Sequence, residues 1–143
     1  MATHDVLHGI GVSAGTAAAP AAIVQPAPGV DTTEPGSVDA AADGARVREA
    51  LAAVSARLSD RAANAPEETK AILKATAQLA GDRGLAKAVD KKLKKGLGVT
   101  QAVHDAVEDY AQMLRSLGGY MAERATDLYD VRDRAICELR GLP

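Results

Sequence analysis

Beyond residue 36, apolar residues recur every three or four positions, the spacing that places them on one face of an α-helix. The first stripe predicts a long helix beginning near residue 37, and it consists of Val47, Leu51, Val54, Leu58, Ala62 and Ala65. A second helix is predicted to begin at Asn64–Pro66, because proline suits a first turn and Glu67 and Glu68 suit the positive end of the helix dipole. Gly81 is its predicted stop, and its predicted inner face consists of Ile72, Ala75 and Leu79.

Glycines separate the remaining helices. Asp82 can cap a short helix whose apolar residues lie four apart, at Leu85, Val89 and Leu93. Thr100 can cap a long helix that ends at Gly118–Gly119 and has the stripe Val103, Val107, Tyr110, Leu114 and Leu117. The last helix has the stripe Met121, Ala125, Leu128, Val131, Ala135 and Leu139. We therefore predict a mostly α fold, an antiparallel bundle of four helices whose second member is broken into two pieces at Gly81–Asp82.

The first 36 residues follow a different pattern. They contain no Lys or Arg, but four of the six prolines and five of the thirteen glycines. Short apolar runs between these residues, such as Val6–Leu7 and Ile23–Val24, predict brief extended or β segments that are too few to close a sheet. The sequence thus predicts two regions, a short N-terminal extended segment over residues 1–36 and a helical region over residues 37–143.

The composition excludes several classes of fold, partner and binding site. Alanine accounts for 31 of the 143 residues and neither Phe nor Trp occurs, which argues against a β-sandwich or barrel and favours closely packed helices. A pI near 5.9 provides no general attraction to nucleic acid or to an anionic membrane. The leader Thr3-His4-Asp5 is not basic, so we expect no secretory signal and a cytoplasmic location. A single cysteine, Cys137, excludes an intramolecular disulfide and a cysteine zinc site.

Several residues could carry chemistry, but each has an ordinary structural alternative. Gly9-Ile10-Gly11 with Gly15 lacks the spacing of a dinucleotide fingerprint, so a glycine-rich turn is favoured. His104 lies beside Asp105 in a predicted helix, as a phospho-accepting histidine would, but no basic residue follows it closely. The lysines of residues 87–95 lie near a helix C-terminus, where the dipole stabilises them, and an acidic partner is the alternative.

Three segments, in order along the chain, share a pattern with one family. The most specific segment comprises Glu123-Arg124-Ala125, Asp127-Leu128, Asp130-Val131 and Arg134. The opening Gly9-Ile10-Gly11-Val12-Ser13 is similar to the family's first strand and turn, and Glu67–Leu85 follows the family in position and pattern. The chain resembles enzyme I, the phosphoenolpyruvate–protein phosphotransferase of the bacterial sugar phosphotransferase system.

The resemblance implies part of an enzyme that takes a phosphoryl group from phosphoenolpyruvate onto a histidine and passes it to the small histidine-containing phosphocarrier protein. Residues 1–36 would be the N-terminal strands of an incomplete α/β subdomain with a linker, and residues 37–143 the helical subdomain that docks the phosphocarrier. The family's phospho-accepting histidine lies downstream in a Thr-Ser-His motif. Its phosphoenolpyruvate and magnesium sites and its homodimer contacts lie in a C-terminal domain. We therefore expect a fragment with no catalytic residue, cofactor or metal of its own, inactive alone.

The resemblance also implies which residues bind the phosphocarrier. Glu67 and Glu68 correspond to an acidic rim, and Arg124 to a contact near the active-site cleft. The apolar patch corresponds to Ala71, Leu79, Leu85, Leu114 and Met121. Asp127 matches an acidic position close to the resting histidine of relatives. Polar family positions are replaced here by Thr69, Thr76 and Gly84, so we expect different polar contacts in the docked complex.

Two other functions remain open at this point. The chain could be a structural helical bundle that makes protein–protein contacts without any part in phosphotransfer. It could also be an enzyme that uses His104 as a phospho-acceptor, in which case acid-labile phosphate should appear on this chain.

Overall fold

The computed structural model describes residues 6–142, and helices make up nearly all of it beyond residue 39. They are α1 (Ala40–Ala63), α2 (Glu67–Ala80), α3 (Arg83–Leu93), α4 (Val99–Leu117) and α5 (Gly119–Arg140). α2 and α3 are the two pieces of one broken member, so the predicted bundle of four is confirmed. None of these helices is long and apolar enough to cross a membrane.

The bundle core is built from leucine, valine and isoleucine with alanine filling the closest approaches. Leu58, Leu85, Leu93, Leu128 and Ile136 are the largest side chains that are fully buried. Four alanines of the long helices α4 and α5 have no exposed surface, namely Ala102, Ala106, Ala111 and Ala135. Because alanine is small, the two backbones can approach closely, and the unusual composition becomes dense helix packing.

One of the predicted helix caps is confirmed and one is wrong. Asp82 accepts a hydrogen bond from the Leu85 backbone N–H at 2.9 Å, as predicted. The Asp39 carboxylate, which was not predicted as a cap, accepts hydrogen bonds from the first turn of α1. Thr100, by contrast, lies inside α4 and does not cap it. The cap comes from a distant residue, since Glu34 Oε1 accepts from the Thr100 N–H at 2.8 Å and from the Gln101 N–H at 3.0 Å. Sequence spacing cannot reveal such a cap, because 66 residues separate its partners.

The described part of the N-terminal segment, residues 6–36, contains neither helix nor strand. The predicted β segments are therefore not confirmed, because a strand needs a partner for its backbone N–H and C=O groups and residues 6–142 provide none. Residues 29–37 do lie against the end of the bundle. Asp31 N–H donates to Thr100 Oγ1 at 2.9 Å, and Ser37 N–H donates to the Leu97 carbonyl at 3.1 Å.

The inner face predicted for α2 is only partly right, because Leu79 packs against the core whereas Ile72 does not. The buried residues of this helix are Thr76, Ala77 and Ala80, whereas the side chain of Ile72 is 62% exposed. The Thr76 hydroxyl donates to the Ile72 carbonyl at 3.0 Å, which removes the penalty for burying it. Of the larger apolar residues of α2, Leu73 and Leu79 pack against the core and Ile72 is left on the solvent side. Two stripe residues at the α4–α5 joint, Leu117 and Met121, are also exposed, and Ala65 lies beyond the end of α1.

Candidate functional site

The solvent side of α2 borders a groove that it shares with the first half of α5. The groove has a volume of about 320 Å³ and is lined by Ala71, Ile72, Ala75, Tyr120, Glu123, Arg124 and Asp127. Its α2 wall is apolar, and its α5 wall carries the charges. Exposed Ile72 and Tyr120 provide most of the large apolar surface. We call this site the α2–α5 groove.

Arg124 fixes the width of the groove. Its Nη2 donates to the Ala75 carbonyl on α2 at 2.9 Å, while its Nε donates to Asp127 Oδ2 at 3.1 Å. Its Nη1 also donates to the Tyr120 hydroxyl at 3.2 Å, and the guanidinium carbon lies 5.7 Å from the centre of the Tyr120 ring. Only 17% of the Arg124 side chain is exposed. This residue therefore connects the two walls of the groove and presents only a small part of its surface to a ligand.

An acidic rim lies at the start of α2. Glu67 and Glu68 occupy its first turn and both are exposed. They precede Ala71 and Ile72 by four residues, so they lie on the same face of the helix, one turn from the groove wall. Glu67 has a loose ion pair with Lys70 at 3.5 Å, which leaves most of its carboxylate in solvent. The groove therefore has an apolar centre with carboxylates at one end.

The structure brings together only part of the predicted docking set. Glu67, Glu68, Ala71 and Met121 are exposed, and Arg124, Asp127 and Leu79 are half-buried. Leu85 and Leu114 are 1% and 4% exposed, so both belong to the bundle core and cannot touch a partner. The prediction that they form part of an apolar surface patch is wrong for this bundle, because each lies on the inner stripe of its helix.

Sequence reasoning missed four residues of the groove as site residues, namely Ile72, Ala75, Tyr120 and Glu123. A signal for two of them was present, because α2 has apolar residues on two faces. One face contains Ala77 and Ala80, and the other contains Ala71, Ile72 and Ala75. A helix needs only one such face to join a bundle, so the second one indicated a binding surface.

The break between α2 and α3 is tied to α4 by a tyrosine. The Tyr110 hydroxyl donates to Asp82 Oδ1 at 3.2 Å, the same oxygen that caps α3. Burial raises the pKa of Tyr110 above its ordinary range, and the negative charge and hydrogen bond of Asp82 act in the same direction. A side chain at Gly84 would come within 2.9 Å of the Tyr110 hydroxyl. The absence of a side chain at Gly84 therefore leaves room for the tyrosine contact.

The other candidates of the sequence are not assembled into a site. His104 is half-buried with its Nδ1 3.2 Å from Asp105 Oδ1, His8 lies exposed in the N-terminal segment, and His4 lies outside the described residues. Residues 6–142 contain no group of three or more His, Cys, Asp or Glu side chains placed to hold a metal ion. No helix begins within residues 6–36, so the glycines there do not open onto the helix that a dinucleotide site requires.

Three cavities larger than the α2–α5 groove lie elsewhere in the bundle, and the smallest of them, of about 420 Å³, is lined by Asp60, Asn64 and Thr69 among others. One of about 450 Å³ lies between α1 and α5 and is lined by Arg57, Arg134 and Cys137 among others. Both of these arginines already pair with carboxylates, of Glu138 and Asp130 respectively. The largest, of about 560 Å³, lies beneath residues 31–38, so the N-terminal segment forms its wall. None of their linings contains a residue of the predicted docking set, whereas the groove contains Ala71 and Arg124.

Comparison with known proteins places the chain in a family. Residues 8–124 match the family described as PEP-utilising enzyme, N-terminal. A phosphoenolpyruvate-protein phosphotransferase of Streptomyces coelicolor is 38% identical over 105 residues, 73% of this chain and 19% of that protein. One of Haloferax volcanii is 34% identical over 70 residues, 49% of this chain and 12% of that protein. The chain thus spans less than a fifth of the length of these curated relatives.

Solved structures agree with the sequence comparison. The N-terminal domain of a nitrogen enzyme I aligns with a TM-score of 0.65 at 28% identity, covering 77% of this chain and 48% of that one. A solution structure of enzyme I aligns with a TM-score of 0.64 at 28% identity, covering 78% of this chain and 49% of that one. These matches confirm the resemblance inferred from the three sequence segments. The chain belongs to the N-terminal family of the PEP-utilising enzymes and is similar to the N-terminal domain of enzyme I.

Proposed function

We propose that this chain docks the histidine-containing phosphocarrier protein during phosphoryl transfer from phosphoenolpyruvate, as the N-terminal part of a phosphoenolpyruvate–protein phosphotransferase. Residues 37–143 would be the docking subdomain, and residues 1–36 would belong to the neighbouring α/β subdomain. The family membership and the names of both curated relatives support the reaction. The observation that carries the docking role is the α2–α5 groove, where apolar residues of α2 turn away from the core.

The groove has the composition of a weak and specific interface. Ile72 and Ala71 provide an apolar centre that a partner can desolvate, and Glu67 and Glu68 provide charge at its edge. Rim charges act mainly on association rate and orientation, whereas buried apolar contacts set the lifetime of the complex. A carrier that must leave after each transfer needs a small interface of this kind.

In this proposal the described residues bind and orient the partner and perform no chemical step. Arg124 and Asp127 hold each other in the groove at 3.1 Å, so they would present a fixed charge pair to the incoming carrier. Residues 6–142 offer no cluster of side chains that fits magnesium. Phosphoenolpyruvate and magnesium would act in regions that correspond to the remaining length of the relatives. We propose that the parent protein is cytoplasmic, in the same compartment as the phosphocarrier protein that it would bind.

The test is a titration of the phosphocarrier protein of the same organism into the isotope-labelled chain, followed by NMR. We expect the amide signals of Ala71, Ile72 and Ala75 to shift, and Ile72→Asp to weaken binding by at least about tenfold, because it places a charge in the apolar centre. The matched control is Val38→Asp, which makes the same kind of change at a fully exposed residue before α1. Equal affinities for wild type and Ile72→Asp would refute the docking role and favour a structural bundle without phosphotransfer.

A further inference from the structure

The cavity between α1 and α5 combines an apolar floor with a rim of arginines. Its volume of about 450 Å³ lies within the range of small-molecule sites. Val54 and Leu58 of α1 line it, and each of these residues is only 1% exposed. The rim consists of Arg57, Arg61 and Arg134. We call this site the α1–α5 cavity.

The arginines of the rim keep most of their hydrogen-bond donors available, because a guanidinium has five N–H groups. Arg134 donates to Asp130 through Nε at 2.8 Å, and Arg57 donates to Glu138 through Nη2. The guanidinium of Arg61 has no ion-pair partner within residues 6–142. Donors for an oxyanion are therefore present at the rim without the loss of either ion pair.

The positive charge of the lining is not explained by the stability of the helices. Three of its eight residues are arginines and only Glu138 is acidic, whereas the complete chain has a net charge of −2. Even when Asp130 is counted as the partner of Arg134, one positive charge remains. The helix dipole accounts for Arg61, which lies in the last turn of α1. Arg57 and Arg134 each lie six residues before the end of their helix, which is too far for this effect.

The apolar part of the lining distinguishes this cavity from a surface that attracts bare ions. Leu142, which is 42% exposed, joins Val54 and Leu58 in the lining. An inorganic ion would leave this surface in contact with water. An anion with an apolar group would cover it, and removal of apolar surface from water is the main source of affinity in such sites, while a few polar groups fix the orientation of the ligand.

We propose that the α1–α5 cavity binds a small organic anion in which a carboxylate or phosphate group is attached to a compact apolar group. The oxyanion accepts hydrogen bonds from Arg61 and Arg134, and the apolar group covers Val54 and Leu58. Arginine suits this role because its planar fork of donors matches either oxyanion. None of these residues lines the α2–α5 groove, so the inference is independent of the proposed docking function.

The single cysteine of the chain reports directly on occupancy of the cavity. Cys137 belongs to the lining and is half-buried, so a bound ligand should shield it from the neutral reagent iodoacetamide. We expect phenyl phosphate or benzoate at about 5 mM to slow alkylation at least about threefold, as for a dissociation constant of about 2 mM. Inorganic phosphate has no apolar group and benzyl alcohol has no charge, so each should slow alkylation by less than about 1.5-fold. Mass spectrometry of the full chain measures the rate.

The double variant Arg61→Gln, Arg134→Gln should lose the protection. Each variant is compared with its own rate without ligand, because nearby charges also change the reactivity of a thiol. The matched control is Arg46→Gln, Arg83→Gln, since neither residue lines the cavity. Arg46 has an ion pair within its own helix, as Arg134 does, and Arg83 resembles Arg61 in having no ion-pair partner among the described residues. The control should keep the protection of the wild type.

The methyl signals of Val54 and Leu58 in NMR spectra should shift with the same dissociation constant as the protection of Cys137. Protection without these shifts, or no protection by either organic anion, would overturn the site. Equal protection by inorganic phosphate would indicate an adventitious ion only, and equal protection by benzyl alcohol would indicate an apolar cavity without a role for the arginines. If alkylation without ligand becomes faster on dilution of the chain, a second copy covers the cavity and the assignment to a small anion is wrong.

Discussion

The distant cap on α4 makes a quantitative prediction about how residues 29–37 are attached to the bundle. One carboxylate oxygen of Glu34 accepts hydrogen bonds from the N–H groups of Thr100 and Gln101 and from the Thr100 hydroxyl at 2.7 Å. Loss of a capping side chain costs about 0.5–2 kcal/mol, and hydrogen bonds to a charged acceptor contribute about 1.5–3 kcal/mol. Because Glu34 is half-buried, we expect Glu34→Ala to lower the free energy of unfolding by about 2 kcal/mol. For a domain of this size the midpoint should fall by about 6–8 °C.

Urea and thermal unfolding, followed by circular dichroism, measure this effect. Glu34→Gln keeps an acceptor oxygen but removes the charge beside the positive end of α4, so it should cost about half as much. The matched control is Glu49→Ala, a carboxylate removed from an exposed position within α1, which should leave the free energy of unfolding nearly unchanged.

Gly98 provides the decisive comparison. A side chain there would come within 2.5 Å of Glu34 Oε1 and 2.6 Å of its Cγ, so Gly98→Ala should displace the carboxylate from the cap. Its φ of −61° suits alanine, so the backbone adds no strain. Glu34→Ala and Gly98→Ala should therefore be strongly non-additive, because each destroys the same contact. If their effects simply add, or if Glu34→Ala costs no more than Glu49→Ala, the capping argument is refuted.

Two further predictions concern the core and the helix break. In the folded chain the pKa of Tyr110 is raised above 10.0, the ordinary value to which it returns on unfolding. The contribution of Tyr110 to the free energy of unfolding is therefore complete below pH 10.0. That contribution is lost as the pH rises through the raised pKa of the folded state. Urea unfolding between about pH 9 and about pH 12 should show this loss in wild type and not in Tyr110→Phe; parallel curves would contradict it. Leu128 has no exposed surface, so Leu128→Ala should lower the free energy of unfolding by about 2–5 kcal/mol in the same assay. A decrease below about 1 kcal/mol would show that the surrounding side chains fill the cavity or that Leu128 is not part of the core.

Helix positions were the most predictable part of this fold. The three- and four-residue spacing placed all five helical segments, and Asp82 beside Gly81 placed the break, because these signals depend on neighbours within one or two turns. The cap of α4 was not predictable in this way. Thr100 has the right residue type at the right place, yet Glu34 takes the role from 66 residues away.

The docking set was only partly predictable, for a reason specific to α2. Ile72, Ala75 and Leu79 have the spacing of an inner stripe, but only Leu79 of the three packs against the core, and the face with Ala77 and Ala80 is the one that is fully buried. Leu85 and Leu114 show the reverse error, since the positions that the family resemblance assigned to a surface patch lie in the core. Periodicity identifies the apolar faces of a helix but does not show which of them is buried. Burial depends on how closely each face fits the neighbouring helices.

Local interactions along the chain are sufficient to specify the helices and the break at Gly81–Asp82. The excess of alanine over aromatic residues and the three segments that identify the family are properties of the sequence itself. Which face of α2 meets solvent, which carboxylate caps α4, and how Arg124 bridges to Ala75 follow from packing between segments far apart in sequence. The reason is that burial and long-range hydrogen bonds depend on the relative positions of whole helices, whereas helix formation depends on residues three and four apart.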